Sequence, residues 1–220
     1  MAESMIVTGK PTLELVENRQ SQDLVELLTN RRSIRRLRGG AFSVQTRERI
    51  EQAIRLTPAA YALPSWHVVL VHEELHELWD VVEQAFRDRL EDDRLERYLD
   101  RLAGFRSGVA VALVYEDIQA RNELKDAWQI GEETARAFSE QGIGMVQLSI
   151  WLTLTEEGLS TSLQHWEWLL EDRLAEFLGI SGRYRLAAAM PIGYADEPPR
   201  NVERAPAHRV VSRNRFTGEH

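Results

Sequence analysis

The chain of 220 residues contains no cysteine. That absence excludes disulfides, thiolate catalysis, cysteine-zinc sites and iron–sulfur clusters together. Long apolar runs are missing too: none reaches about 18 residues, the length a membrane-spanning helix needs. Met1 to Arg19 has no signal-peptide apolar core. A cytoplasmic protein with no membrane partner is therefore expected. Basic charge is in short supply, with 27 Lys and Arg against 35 Asp and Glu and a formal net charge of −8. Nucleic acid as the main partner requires a basic surface, so it is not expected. A Gly-rich phosphate loop is absent. Gly142-x-Gly144 lacks the third glycine and the preceding strand of a dinucleotide fingerprint, and is read instead as letting a helix start close to another backbone. No Ser-His-Asp or paired-carboxylate constellation stands out. Glu156 and Glu157 are adjacent, so on a helix they point about 100° apart and form no dyad.

What remains is an ordinary globular composition, 43% hydrophobic and 28% charged, long enough to enclose a core. Within it lies one cationic cluster, Arg31-Arg32-Ser33-Ile34-Arg35, following a short amphipathic stretch and preceding Gly39-Gly40. Three guanidiniums and a hydroxyl in five residues suit a dianion such as a phosphate. A run of this kind is more often a solvated face, and only its neighbours in sequence can decide between the two readings.

Those neighbours alternate helix and strand. Leu24, Leu27 and Leu28 are spaced for a helix over 21–30. Ser43 is an N-cap for a second helix with Ile50, Ala53 and Ile54 on one face, and Thr57-Pro58 ends it, because the residue before proline avoids the helical region. Trp66–Val71 reads as a buried strand. Leu75, Leu78, Trp79, Val82 and Phe86 form a core-facing helical stripe. Residues 87–106 alternate in charge, as a solvated helix or an excursion. Val109–Tyr115 is a second buried strand. Residues 135–157 form a long helix, apolar nearly all round from Ile143 to Leu154, that lies centrally or in a subunit interface, with Gly158 past its C-terminal end. Strands are expected over 159–165 and 185–191, with a helix over 169–178 between them. The organisation expected is a polar arm over 1–20, one α+β domain over 21–195 and an extended tail over 196–220.

Two further motifs bear on function. His72-Glu73-Glu74-Leu75-His76 matches H-E-x-x-H, but a zinc site needs both histidines inside one helix and a third ligand. His72 directly follows a strand, and no downstream signature follows, so no metal site is expected. Gln164-His165-Trp166, at the end of a predicted strand, either lines a ligand cleft or is structural. The tryptophans, Trp66, Trp79 and Trp151 among them, are core or interface residues by size and amphipathicity.

The order of these pieces resembles the nitroreductase family of FMN flavoproteins, closest to the branch of fatty-acid-repression-mutant nitroreductases. The resemblance rests on Arg31-Arg32-Ser33-Ile34-Arg35-Arg36-Leu37, Thr57-Pro58-Ala59-Ala60, the strand 66–71, Leu75-His76-Glu77-Leu78-Trp79-Asp80, Glu157-Gly158-Leu159-Ser160-Thr161-Ser162-Leu163-Gln164-His165 and Met190-Pro191-Ile192-Gly193, and it spans about residues 25–211. It implies a sandwich with a central, mostly antiparallel sheet flanked by helices, an extended C-terminal arm, and a homodimer with FMN at the interface. It implies that Arg31, Arg32, Ser33, Arg35 and Arg204 hold the phosphate. Leu163, Gln164 and His165 would line the isoalloxazine, and the partner's loop containing Pro58, Ala59, Ala62 and Pro64 would reach it. NAD(P)H would be the co-substrate, and a nitroaromatic or similar small molecule the acceptor. One departure stands out. Where family members carry Ser, Asn and Gln, this chain has Ala59, Ala62 and Pro64; Tyr61 and Ser65 are candidate replacements. A non-catalytic flavin- or anion-binding protein on the same fold is the alternative.

Overall fold

The computed structural model describes residues 23–201. The polar arm 1–20, Arg204 and most of the tail lie outside the described residues. Helix α1 (Leu24–Asn30) starts at Asp23, whose carboxylate accepts from the Val25 N–H. After β1 (Leu37–Arg38), helix α2 (Val44–Leu56) starts where its sequence requires: the Ser43 hydroxyl accepts from the Thr46 N–H at 3.0 Å. It stops at Thr57, ahead of Pro58. A single 3-10 turn, Ala60–Ala62, leads into β2 (Trp66–Val71). Then come α3 (Leu75–Arg89), α4 (Asp92–Arg106), β3 (Ala110–Asp117), α5 (Ile118–Trp128) and α6 (Glu132–Glu156). Last are β4 (Ser160–Thr161), α7 (Glu167–Leu178) and β5 (Tyr184–Ala195).

The strands form one antiparallel sheet in the order β1-β5-β3-β2, with β4 also paired to β5. Every residue of β3 is buried. Its side chains alternate between two cores, as a strand's two-residue period requires. Val111, Leu113 and Tyr115 join the core under α3 and α7, while Ala110, Ala112 and Val114 join the one under α2 and α6. Helices on both sides explain why β3 reads as an apolar run from Ala110 to Tyr115.

Several expectations need correcting. Strand β2 is half-buried rather than buried, because it pairs only with β3 at the sheet edge. The segment 159–165 is not one strand. Only Ser160–Thr161 pairs regularly, and the chain returns to the sheet at a single bridge, Gln164 to Ala189. Residues 87–106 divide into the end of α3 and the amphipathic α4, which buries Leu102 and Phe105. Gly142 does not start a helix. It sits inside α6 against Trp66, whose ring would lie 2.8 Å from an added Cβ. Helix α6 begins earlier than expected, where Glu132 and Glu133 face its positive N-terminal end.

Candidate functional site

The arginine segment is pinned to the sheet by its one apolar member. Ile34 is buried, and its N–H donates to the Thr161 carbonyl at 3.2 Å. Ser33 forms a parallel bridge to Thr161 and is itself exposed. Arg31 caps α1 and lays its guanidinium over the Trp151 ring, 4.4 Å from the centroid. Arg32 is half-buried. The Arg35 and Arg36 N–H groups both donate to the Glu197 carboxylate, at 2.6 and 3.2 Å. The Arg35 guanidinium is held below the usual arginine range by partial burial and by Arg101 and Arg200, with Glu197 opposing. An anion placed here would relieve that repulsion.

Beyond Thr161 the chain reaches a cavity of about 450 Å³, walled by Glu140, Ile143, Gly144, Gln147, His165 and Arg185. His165 is exposed at its edge. Leu163 packs into the core under α6. Gln164 is turned inward: its side-chain amide donates to the Ser162 hydroxyl at 2.9 Å, and its backbone exchanges both hydrogen bonds with Ala189. Arg185 belongs to the cavity through a partner on the far side. Its guanidinium lies 2.7 Å from the Glu116 carboxylate, a close ion contact rather than an aligned hydrogen bond. Glu116 also accepts from the Ser139 hydroxyl at 2.9 Å and from Arg121 at 3.1 Å. Ser65 donates to Ser139 at 3.0 Å, so its hydroxyl is engaged inside the fold rather than offered to a ligand.

The loop after α2 borders a different cavity, of about 840 Å³, lined by Pro58, Ala59, Ala62 and Pro64 together with Trp66 and His67. The two cavities share no lining residue. Within one chain the fold thus joins the arginine segment to Leu163–His165, and holds Pro58, Ala59, Ala62 and Pro64 apart from them. Tyr61 and Ala62 both have left-handed backbone, with φ of 53° and 58°. Tyr61 stacks on Trp128 with centroids 3.9 Å apart, so it too is occupied.

The two histidines of the H-E-x-x-H match do not share a helix. His72 lies before Glu74, the N-cap of α3, and its Nε2 is 2.7 Å from Arg47. His76 is exposed beside Asp80. Among the described residues no cluster of three His, Asp or Glu could hold a metal.

Sequence reasoning missed Gln147, Arg185 and Glu116. For Gln147 the signal was available: a primary amide inside the apolar stretch Ile143–Leu154. The site's unmet bonding capacity fits a phosphorylated flavin. Arg35 Nε and Thr161 Oγ1 are buried without a partner among the described residues. Gln147, 8% exposed as a residue, makes no side-chain hydrogen bond to any described residue, and its amide stays open to the cavity.

No curated protein matches the chain in sequence. Among solved structures, the nitroreductase CinD from Lactococcus lactis in complex with chloramphenicol superposes with a TM-score of 0.77 at 21% identity, over 87% of this chain and 100% of that one. The NADPH:FMN oxidoreductase from Vibrio harveyi complexed with NAD+ gives 0.67 at 18%, over 89% and 79%. An FMN-dependent nitroreductase from Clostridium difficile R20291 gives 0.62 at 18%, over 88% and 100%. At these identities the likeness is one of fold. The family assignment comes from the nitroreductase family model, which matches residues 28–194. The chain belongs to the nitroreductase family.

Proposed function

We propose that this protein is an FMN-dependent NAD(P)H oxidoreductase of the nitroreductase type. The observation that carries the reading is the seating of Arg31-Arg32-Ser33 against Thr161, at the head of the segment that runs on to the His165 cavity. A cationic end followed by a partly apolar slot matches a phosphate followed by a flat ring. In this reading Arg31, Arg32, Ser33, Arg35 and Arg204 hold the phosphate, and Leu163, Gln164 and His165 border the ring. When bound, FMN accepts a hydride from NAD(P)H and returns it to a nitroaromatic or similar small acceptor. The protein's task is then to bind and orient, with the cofactor carrying the chemistry.

A homodimer is part of the proposal, because Pro58, Ala59, Ala62 and Pro64 can meet the ring only from a second copy. Support comes from the exposed apolar side chains Leu24 and Val25 on α1 and Met145 and Leu148 on α6, two helices that pack against each other. A cytoplasmic location accords with the absence of any described helix long and apolar enough to cross a membrane.

The apolar side chains of Ala59, Ala62 and Pro64 favour one second reading, a non-catalytic flavin-binding protein. An absorption spectrum after gel filtration, with and without added FMN and then NAD(P)H, separates them. Retained flavin bands that bleach with NAD(P)H are expected. Retained bands that do not bleach would favour the binder. A colourless protein after incubation with FMN would overturn both.

A further inference from the structure

We propose that Gln147 recognises the imide edge of the flavin ring, taking over the hydrogen bonding that Ala59, Ala62 and Pro64 cannot provide. The inference rests on the FMN reading above.

Gln147 lies in the middle of α6, where Ile143, Val146, Ile150 and Leu154 are buried around it. An amide sealed in such a setting is costly unless bonded. Gln147 is 8% exposed as a residue and bonds to no described residue, but its amide is not shut off from solvent and so opens into the cavity rather than into the core. The side chain lines the cavity that His165 and Arg185 also border. The other polar groups of that wall are differently disposed. Arg185 is committed on one side to Glu116, and His165 and Glu140 face solvent. Glu167 lines the cavity too, with one carboxylate oxygen buried and without a partner among the described residues, but a carboxylate can only accept. Gln147 is the group of that wall whose side chain offers a donor and an acceptor side by side with neither bonded to a described residue. A primary amide carries an acceptor oxygen beside donor hydrogens. An imide, with its N3–H between two carbonyls, presents the reciprocal pattern, so the two can pair through adjacent hydrogen bonds. Ile143, from the same wall, supplies apolar contact beside it. The polar reading of the ring edge would thus come from helix α6 instead of from the loop before β2.

The test compares FMN with N3-methyl-FMN in equilibrium fluorescence titrations of the full chain. Wild type should bind the methylated flavin about tenfold more weakly, or worse, since a lost hydrogen bond of about 1.4 kcal/mol has that effect. Gln147→Leu should bind FMN about tenfold more weakly than wild type and should no longer distinguish the two flavins. Equal wild-type affinity for both flavins would overturn the inference and leave the FMN reading standing. So would a Gln147→Leu protein that still discriminates as wild type does. A wild-type chain that binds neither flavin would bring down the FMN reading and this inference with it. The wild-type comparison decides even if the variant does not fold.

Discussion

Arg185 holds its guanidinium 2.7 Å from the carboxylate of Glu116, a residue only 1% exposed. The same carboxylate takes hydrogen bonds from Ser139 and Arg121. A carboxylate so deep in the protein is tolerated because its charge is compensated from several sides. One of those compensating cations also walls the candidate cofactor cavity, so core electrostatics and site geometry are coupled at Arg185.

Removing the carboxylate should be severe. Glu116→Leu leaves the buried Arg121 without its inner counter-charge, and a loss of about 3–5 kcal/mol is expected in urea unfolding. Arg185→Ala should cost only about 1 kcal/mol, because its side chain is 43% exposed and Arg121 remains. Similar losses for both variants would mean that Glu116 is not the organising charge.

Removing charge at the arginine segment should act on the ligand rather than the fold. Arg31→Ala and Arg35→Ala are each expected to weaken FMN binding by about 1.5–3 kcal/mol, the scale of a hydrogen bond to a charged group. Fluorescence titration reads this directly. Unchanged affinity in both variants would remove the phosphate assignment.

Position 62 offers a gain-of-function test. Ala62 has φ of 58°, a region asparagine tolerates better than alanine. Ala62→Asn should therefore fold with no loss of melting temperature, and it should tighten FMN binding if this loop meets the partner's flavin. A folded variant with unchanged affinity would place the loop away from the ring.

Asp117 predicts an acid-side stability loss. Burial pushes its carboxyl up, but hydrogen bonds from Arg183 and from the Ala120 N–H outweigh burial, and the net effect is downward. A carboxyl whose folded pKa is depressed contributes stability that is present above its unfolded pKa and lost as pH falls through the folded one. The contribution of Asp117 should thus be complete near neutrality and disappear below the ordinary aspartate range. Asp117→Asn should flatten the acid limb of a stability–pH curve measured by denaturant unfolding. It keeps the capping acceptor for α5, so an unaltered acid limb would count against the Arg183–Asp117 pair.

The parts legible in advance are those fixed by local chemistry. Ser43 and Thr57-Pro58 bound α2 because a cap and a proline act within a few residues. The apolar run at 110–115 announced a strand covered on both faces. The segment 159–165 departs from the single strand its composition suits, because pairing depends on what β5 offers opposite it. After Thr161 the ladder is kept only at Gln164 and Ala189. Trp66–Val71 has the composition of an interior strand, yet β2 lies at the sheet edge of the chain, a position set by strand order and not by the strand itself.

The same division runs through the site. The sequence by itself determined that no thiol chemistry operates here, that positive charge is concentrated at Arg31–Arg35, and that the loop 59–64 is poor in polar side chains. Each follows from residue identity alone. Only the tertiary structure decided that Ser33 lies against Thr161, that Gln164 turns inward while His165 faces a cavity, that Gln147 borders that same cavity, and that Arg185 and Glu116 matter at all. Those facts depend on which distant backbones pair and which side chains are thereby cut off from water, and residue identity carries neither.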